Sequence, residues 1–210
     1  MENINWSELG FGYLKTNANV RCEYHNGKWG ELELHTDETI NIHMAATCLH
    51  YGQEAFEGLK AFKGKDGKVR IFRIDENAKR LASSCNGICM PALPEGVFEK
   101  AVMMAVKANM EFVPPYESGA ALYIRPVLFG YTPQIGVSPA KDYLFIVFVS
   151  PVGPYFKGGF SAAGTELADA YSSGTLNGGH VRFFAPRLKR FTTRRAVFPH
   201  ATWLVQAPAH

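Results

Sequence analysis

The chain has 210 residues, of which 47% are hydrophobic and 20% charged, and its formal net charge is +3. A chain of this length buries roughly 70% of its unfolded surface, and its composition excludes wholesale disorder and a fibrous repeat. No segment approaches the ~20 apolar residues of a membrane helix, and the first residues lack a basic segment followed by an apolar run. These features predict a cytoplasmic globular protein with no membrane partner.

The surplus of positive charge lies in the C-terminal part of the chain. Residues 170–210 contain six Lys or Arg and no carboxylate. Subtracting these six from the 22 basic residues leaves 16 against 19 acidic residues, so residues 1–169 carry a charge of −3. A basic tail can bind nucleic acid through phosphate contacts. This tail has few lysines and no clear helix or turn pattern, so nucleic acid is not the expected partner.

Two β-hairpins are predicted in the first 75 residues. Apolar residues alternate on both sides of the pair Asn26-Gly27, which favours a tight hairpin turn. A second hairpin is predicted where LKAFK and KVRIFR flank a polar turn that contains Gly64 and Gly67. Four lysines lie near this hairpin, namely Lys60, Lys63, Lys65 and Lys68. Their ordinary interpretation is a charged turn, and the minor one is a phosphate site.

Two helices are predicted after the second hairpin. In the first, Asp75 is expected as the N-cap, and apolar residues recur at the spacings of one helix face. Cys85 and Cys89 would share a face of this helix, and a buried structural role is favoured for the four cysteines over a metal site. The second helix is predicted over residues 95–110, and two consecutive prolines close the section.

Two long strands are predicted around residues 120–129 and 142–150. With a period of two, Tyr123 and Arg125 point to the same face of a strand that is otherwise almost wholly apolar. A buried cation needs a partner. Either Arg125 pairs with a structural carboxylate or extends from an edge strand, or it lines a cavity with the Tyr123 hydroxyl and binds an anion or carboxylate.

Three other residues are uninformative when each is taken alone. Arg80 on the first predicted helix has the ordinary interpretation of a solvated face or a surface ion pair. The ordinary interpretation of Tyr51 and Tyr155 is that they are core aromatic residues whose hydroxyls are hydrogen-bonded. The sequence shows no glycine-rich phosphate loop between a strand and a helix, no zinc-ligand spacing and no nucleophilic serine elbow.

Several motifs together resemble one enzyme family, the branched-chain amino acid aminotransferases, which are class IV enzymes that use pyridoxal phosphate. The resemblance covers about residues 5–160 and rests on LHYGQEAFEGLKAFKGKDGKVRIFR, LYIRPVLFG, IGVSP and SPVGPYFKGG, in that order. It implies an α+β fold in which residues 1–153 form the small N-terminal domain, with a mixed, mainly antiparallel sheet. Residues 154–163 would then be the interdomain linker.

The resemblance also implies roles for particular residues. Arg80 matches the position that binds the cofactor's phosphate, which suits a guanidinium with parallel N–H donors. Ile135 and Val137 match a loop that leans toward the neighbouring subunit's site, so a homodimer is implied. Five positions match the substrate pocket, namely Phe11, Tyr51, Tyr123, Arg125 and Tyr155.

The implied reaction is amino transfer between small-molecule amino acids and 2-oxo acids. An aliphatic side chain of leucine, isoleucine or valine requires an apolar enclosure, whereas the extra carboxylate of 2-oxoglutarate requires a cation and hydroxyls. D-amino acid aminotransferases and aminodeoxychorismate lyases share the fold. The motifs YIRPVL and EGLKAFKGKDG resemble the branched-chain group more closely.

The lysine that holds the cofactor in the family precedes a Gly-Gly-Asn-Tyr run. This sequence instead reads LNGGH at residues 176–180, so no catalytic lysine is assigned. Residues 164–210 show no resemblance to the family and are expected to be a basic tail, frameshifted or disordered, in place of the second domain. The chain is therefore expected to be an incomplete transaminase, or an inactive remnant that pairs with another subunit.

Overall fold

The structure is a computed structural model that describes residues 4–153, and one eight-stranded antiparallel sheet runs through this part of the chain. The spatial order is β2-β1-β8-β7-β5-β6, with β3 paired to β1 and β4 paired to β7. The predicted α+β fold with a mainly antiparallel sheet is confirmed. The strands are β1 (Asn19–His25), β2 (Lys28–Trp29), β3 (Glu33–His35), β4 (Glu54–Phe56), β5 (Leu59–Lys63), β6 (Val69–Ile71), β7 (Ala121–Gly130) and β8 (Tyr143–Val152). The α-helices are α1 (Thr47–Tyr51), α2 (Ile74–Gly87) and α3 (Val97–Ala108), and two 3-10 turns span Met110–Phe112 and Tyr116–Ser118.

Both predicted hairpins are confirmed. Asn26 and Gly27 have positive φ angles of 51° and 79°, the conformation that a two-residue turn between β1 and β2 requires. The second hairpin joins β5 to β6. Its turn is closed by the N–H of Gly64, which donates to the carbonyl of Lys68 at 2.8 Å.

Strands β7 and β8 form the centre of the sheet and pair along their whole length. On its other side β7 pairs with β4 and then with β5 in one continuous register. The ladder is interrupted opposite Pro126, which has no N–H to donate. The N–H of Glu57 still donates to the carbonyl of Pro126 at 2.9 Å, so the chain continues from β4 to β5 without a shift of register.

The two faces of β7 have different neighbours. Leu122, Ile124 and Leu128 are fully buried in the main core, which also contains the apolar faces of α2 and α3. Tyr123 and Arg125 alternate with these residues and point to the opposite face of the sheet. Period-two alternation therefore places a packed core behind the strand and two polar side chains in front of it.

The helices begin and end at positions that differ from those predicted. Helix α2 begins at Ile74, after Arg73, so Asp75 lies within the first turn and is not the N-cap. The helix ends at Gly87, and Cys89 is exposed with a φ of 57°, so Cys85 and Cys89 do not share a helix face. Helix α3 is shorter at both ends than the predicted span of residues 95–110.

The cysteines of the described residues are all free, and Cys22 and Cys85 are buried. Within residues 4–153, no group of three or more His, Cys, Asp or Glu could hold a metal ion. Among the helices of this same range, none has the length and apolarity that a membrane crossing requires. The predicted linker at 154–163 and the tail at 164–210 lie outside the described residues and stay predictions.

The phenol of Tyr143 is expected to make folding sensitive to alkaline pH. Tyr143 is 2% exposed, its hydroxyl donates to the carbonyl of Ala140 at 2.7 Å, and burial raises its pKa to about 12. An unfolded phenol ionises near pH ~10. The unfolded state therefore loses its proton first, and the free energy of unfolding falls as the pH rises from 10 toward 12.

Urea titrations on both sides of pH ~10 check this expectation. Tyr143→Phe should show a shallower loss of stability with rising pH than the wild type. Tyr116→Phe changes an exposed phenol and should decline like the wild type. An equally steep decline in Tyr143→Phe and the wild type would contradict the assignment.

Candidate active site

Strand β7 places a guanidinium and a phenol in direct contact. The Nε and Nη2 atoms of Arg125 donate to the phenol oxygen of Tyr123 at 3.1 and 2.9 Å. The guanidinium carbon also lies 4.1 Å from the centroid of the Phe56 ring, which presents its face to the cation. The predicted juxtaposition of Tyr123 and Arg125 is confirmed.

The partners of Arg125 distinguish between the two alternatives that the sequence left open, a structural ion pair or edge position and a cavity shared with the Tyr123 hydroxyl. Within residues 4–153, no carboxylate forms an ion pair with Arg125, whose recorded contacts are to Tyr123 and Phe56. Strand β7 is an interior strand, so Arg125 does not extend from an edge. In the same range, no acceptor is recorded for the Tyr123 hydroxyl hydrogen. The pair therefore presents N–H and O–H donors on this face of the sheet.

Phe11 lies beside this pair, on a segment that crosses the sheet ahead of β1. The segment is held where the N–H of Leu14 donates to the Ser150 hydroxyl of β8 at 3.0 Å. The ring centroids of Phe11 and Tyr123 are 6.3 Å apart in an edge-on arrangement. Phe11 thus forms an aromatic wall next to the phenol.

Three residues of the adjacent β4–β5 segment complete this cluster and were not identified from the sequence. Phe56, Gly58 and Lys60 alternate along the continuous run of β4 and β5, so they share the face of Tyr123 and Arg125. The period of two in AFEGLKAF was the available signal. A Cβ atom on Gly58 would lie 2.5 Å from the Tyr123 hydroxyl oxygen, so the phenol occupies space that only glycine leaves open.

Lys60 lies on β5, within the segment LKAFK that the sequence predicted beside the charged turn. It lies opposite Tyr123 in the β5–β7 pairing. Its Nζ atom is 5.7 Å from the Phe11 ring centroid, and burial lowers its pKa. A second cation therefore stands on the same face as Arg125.

Arg80 lies on α2, on the opposite side of the sheet from Arg125. Its Nε donates to Glu57 Oε1 at 2.8 Å, and its Nη2 donates to Glu57 Oε2. Glu57 is completely buried, so the pair is not the surface ion pair that the helix position alone suggested. The hydrogen bonds to Glu57 raise the pKa of Arg80, which keeps the guanidinium charged.

Arg80 also lines an open groove of about 530 Å³ at the start of β5. Its lining contains two arginines, Arg73 and Arg80, and a single carboxylate, Glu76. Lys60 also borders the groove, but its ammonium lies near the Phe11 ring. The groove is thus positively charged, which suits an anionic group. Gly58 at its margin also contacts Tyr123 on the far face of the sheet.

Tyr51 and the predicted dimer loop form a separate cluster. The Tyr51 hydroxyl donates to the carbonyl of Ile135. The Ile135 side chain is 87% exposed and that of Val137 is 56% exposed. Among residues 4–153, no recorded hydrogen bond or ring contact joins Tyr51 to Arg125. Tyr155 and the LNGGH segment lie outside the described residues.

Known proteins similar to this chain include branched-chain-amino-acid aminotransferases. The branched-chain-amino-acid aminotransferase of Helicobacter pylori is 46% identical over 167 residues, which cover 80% of this chain and 49% of the relative. The branched-chain-amino-acid aminotransferase of Haemophilus influenzae is 42% identical over 182 residues, which cover 87% of this chain and 53% of the relative. The chain thus spans about half the length of these curated relatives. No protein-family model matches it.

A solved structure shows the same fold. The branched-chain amino acid aminotransferase of Escherichia coli covers 69% of this chain and 42% of its own, with a TM-score of 0.52 and 24% identity. The sequence similarity also extends further than the motifs indicated. The Haemophilus alignment spans 182 residues, and residues 1–163 supply only 163 of them, so at least 19 aligned residues lie beyond Ala163.

Gly58→Ala is expected to destabilise the protein by about 1–3 kcal/mol, because its methyl group would collide with a phenol that Arg125 holds in place. Tyr123→Phe removes the colliding oxygen. The double variant should therefore lose less stability than the sum of the two single variants. Urea denaturation of all three measures this coupling.

Gly12→Ala is the matched control, since no atom lies within 4 Å of the added methyl group. Its free energy of unfolding should stay within about 0.5 kcal/mol of the wild type. Strict additivity of Gly58→Ala and Tyr123→Phe would show that the phenol does not lie over Gly58.

Proposed function

Because this chain belongs to the branched-chain amino acid aminotransferase family, we propose that its described residues bind the substrates and the cofactor of amino transfer. The proposed partners are a branched-chain amino acid and 2-oxoglutarate. The observation that carries the proposal is the cluster of Arg125, Tyr123 and Phe56, because it combines an oriented cation with an aromatic surface.

This cluster meets the two requirements of such a pocket. Leucine, isoleucine or valine presents an aliphatic side chain, which the rings of Phe11 and Phe56 can enclose. 2-Oxoglutarate presents a second carboxylate, to which Arg125 and the Tyr123 hydroxyl can donate hydrogen bonds. Lys60 adds positive charge on the same face. The pocket therefore accepts an aliphatic group in one half-reaction and a carboxylate in the other.

The residues present also fit the phosphate end of pyridoxal phosphate. A guanidinium has five N–H donors in one plane, and the bonds of Arg80 to Glu57 engage Nε and Nη2 on one edge. In the proposal a phosphate accepts hydrogen bonds from Arg80 within the cationic groove that this side chain lines. When bound, the cofactor supplies an electron sink for the substrate's α-carbon.

A homodimer is part of the proposal. Ile135 and Val137 are apolar and highly exposed on one loop, and the Tyr51 hydroxyl bonds the backbone of this loop. Large exposed apolar residues placed together mark contact surfaces. In the proposal this loop reaches the second subunit and contributes to its site.

A second candidate function is binding without turnover. It is favoured by the LNGGH sequence at residues 176–180, where the family's lysine motif would stand. A chain without that lysine keeps the groups that orient substrates but lacks the amine that moves the α-proton. Such a chain would be an inactive subunit that binds the same ligands.

Arg125→Gln in the full chain tests the substrate assignment. Loss of a charged hydrogen bond costs about 1.5–3 kcal/mol, so the affinity for 2-oxoglutarate should fall roughly 10- to 100-fold. The affinity for 4-methyl-2-oxopentanoate, which lacks the second carboxylate, should change less than about twofold because the aromatic walls remain. Isothermal titration calorimetry measures both affinities.

Arg70→Gln is the matched control, since it removes an exposed arginine in the second hairpin and should alter neither affinity. Turnover of leucine and 2-oxoglutarate with added pyridoxal phosphate distinguishes the two candidates. Binding with turnover supports the transaminase, and binding without turnover supports the inactive subunit. Equal losses for both 2-oxo acids in Arg125→Gln would overturn the carboxylate assignment.

A further inference from the structure

Glu57 is a negative charge in the interior of the protein. It lies between β4 and β5, opposite Pro126, and its side chain is 0% exposed. Burial of a carboxylate is costly unless the group is paired and hydrogen-bonded. An apolar residue would fill a position beneath α2 at a lower desolvation cost, so packing alone does not account for a carboxylate here.

Both oxygens of Glu57 are engaged by residues of α2. Oε1 accepts from Arg80 Nε at 2.8 Å, and Oε2 accepts from Arg80 Nη2 and from Asn77 Nδ2, the latter at 2.8 Å. Asn77 is itself buried and lies three residues before Arg80, on the same face of the helix. The carboxylate is therefore fixed by three donors and cannot rotate independently of the guanidinium.

This arrangement orients Arg80 with respect to the cationic groove. An arginine side chain has many rotamers, and ordering them on binding weakens affinity. Two parallel hydrogen bonds to a rigid carboxylate fix the plane of the guanidinium before a ligand arrives. The Arg80 side chain remains 21% exposed and lines the groove. The buried edge thus sets the orientation of the accessible edge.

We propose that Glu57 is a positioning residue for Arg80, that Asn77 fixes Glu57 in turn, and that this series of contacts holds the guanidinium ready for a phosphate group. The inference rests on the proposed function, in which Arg80 binds the phosphate of pyridoxal phosphate. It adds that the affinity for this phosphate depends on two residues that do not touch it.

The test compares pyridoxal phosphate with pyridoxal, which lacks the phosphate, by equilibrium dialysis against the full chain. In Glu57→Gln the affinity for pyridoxal phosphate should fall about tenfold or more, as for other buried charge pairs that lose one partner. The affinity for pyridoxal should change less than about twofold, since it makes no bond that Arg80 positions. Arg80→Ala combined with Glu57→Gln should lose no more than Arg80→Ala alone.

Asn77→Ala is the second variant, and it tests the positioning role of Glu57 if Glu57→Gln does not fold. It keeps the charge pair and removes the hydrogen bond that the neutral Asn77 amide donates to the Glu57 carboxylate, so about a three- to tenfold loss is expected for pyridoxal phosphate alone. Asp66→Asn is the matched control. It breaks an exposed bidentate pair with Arg70, whose bonds measure 2.8 and 2.7 Å, and should leave both affinities unchanged.

Two results would contradict the inference by itself. One is equal weakening of pyridoxal phosphate and pyridoxal in Glu57→Gln and Asn77→Ala, which would indicate a purely structural role. The other is a wild-type preference for pyridoxal phosphate that survives in both variants. Equal affinity of the wild-type protein for the two compounds would instead overturn the phosphate role of Arg80, and the inference with it.

Discussion

Alternation of side chains along β7 is the constraint on which the rest of the structure depends. Because β7 is paired on both sides, successive residues must point to opposite faces of the sheet. Leu122 and Ile124 complete the core beneath the helices, while Tyr123 and Arg125 stand on the other face. A shift of register by one residue would bury the guanidinium and expose the leucine, so core packing and site geometry are fixed together.

Two charged side chains, Glu57 and Arg125, lie on opposite faces of the sheet, and the fold accommodates them in different ways. Glu57 lies on the helix-covered face and is neutralised by Arg80. Arg125 lies on the open face and is oriented by a phenol and an aromatic ring, neither of which cancels its charge. The first charge is satisfied within the fold, whereas the second is held in a form that still attracts an anion. In the proposed function, Glu57 supports the site through Arg80, and Arg125 forms part of it.

The sequence predicts well what depends on local periodicity. Alternation identified the face shared by Tyr123 and Arg125, and Asn26 with Gly27 identified the first turn. It fails where the outcome depends on which elements become neighbours. Nothing local shows that Glu57 lies beneath α2, so the buried partner of Arg80 was missed. The place of Lys60 beside Tyr123 was also missed, because it depends on the pairing of β5 with β7. The prediction of Asp75 as the cap was wrong because the helix begins at Ile74, with Arg73 in the N-cap position.

The phenol oxygen of Tyr123 accepts hydrogen bonds from two N–H groups of Arg125. The hydroxyl hydrogen of Tyr123 can therefore be donated to a ligand. Arg125 and Tyr123 together present N–H and O–H donors, and the guanidinium carries a positive charge. An approaching side chain must therefore bring lone pairs, and one that ends in an ammonium group, as in lysine or ornithine, meets both repulsion and a mismatch of hydrogens. In the proposed pocket, the same contact would favour an acidic substrate over a basic amino acid.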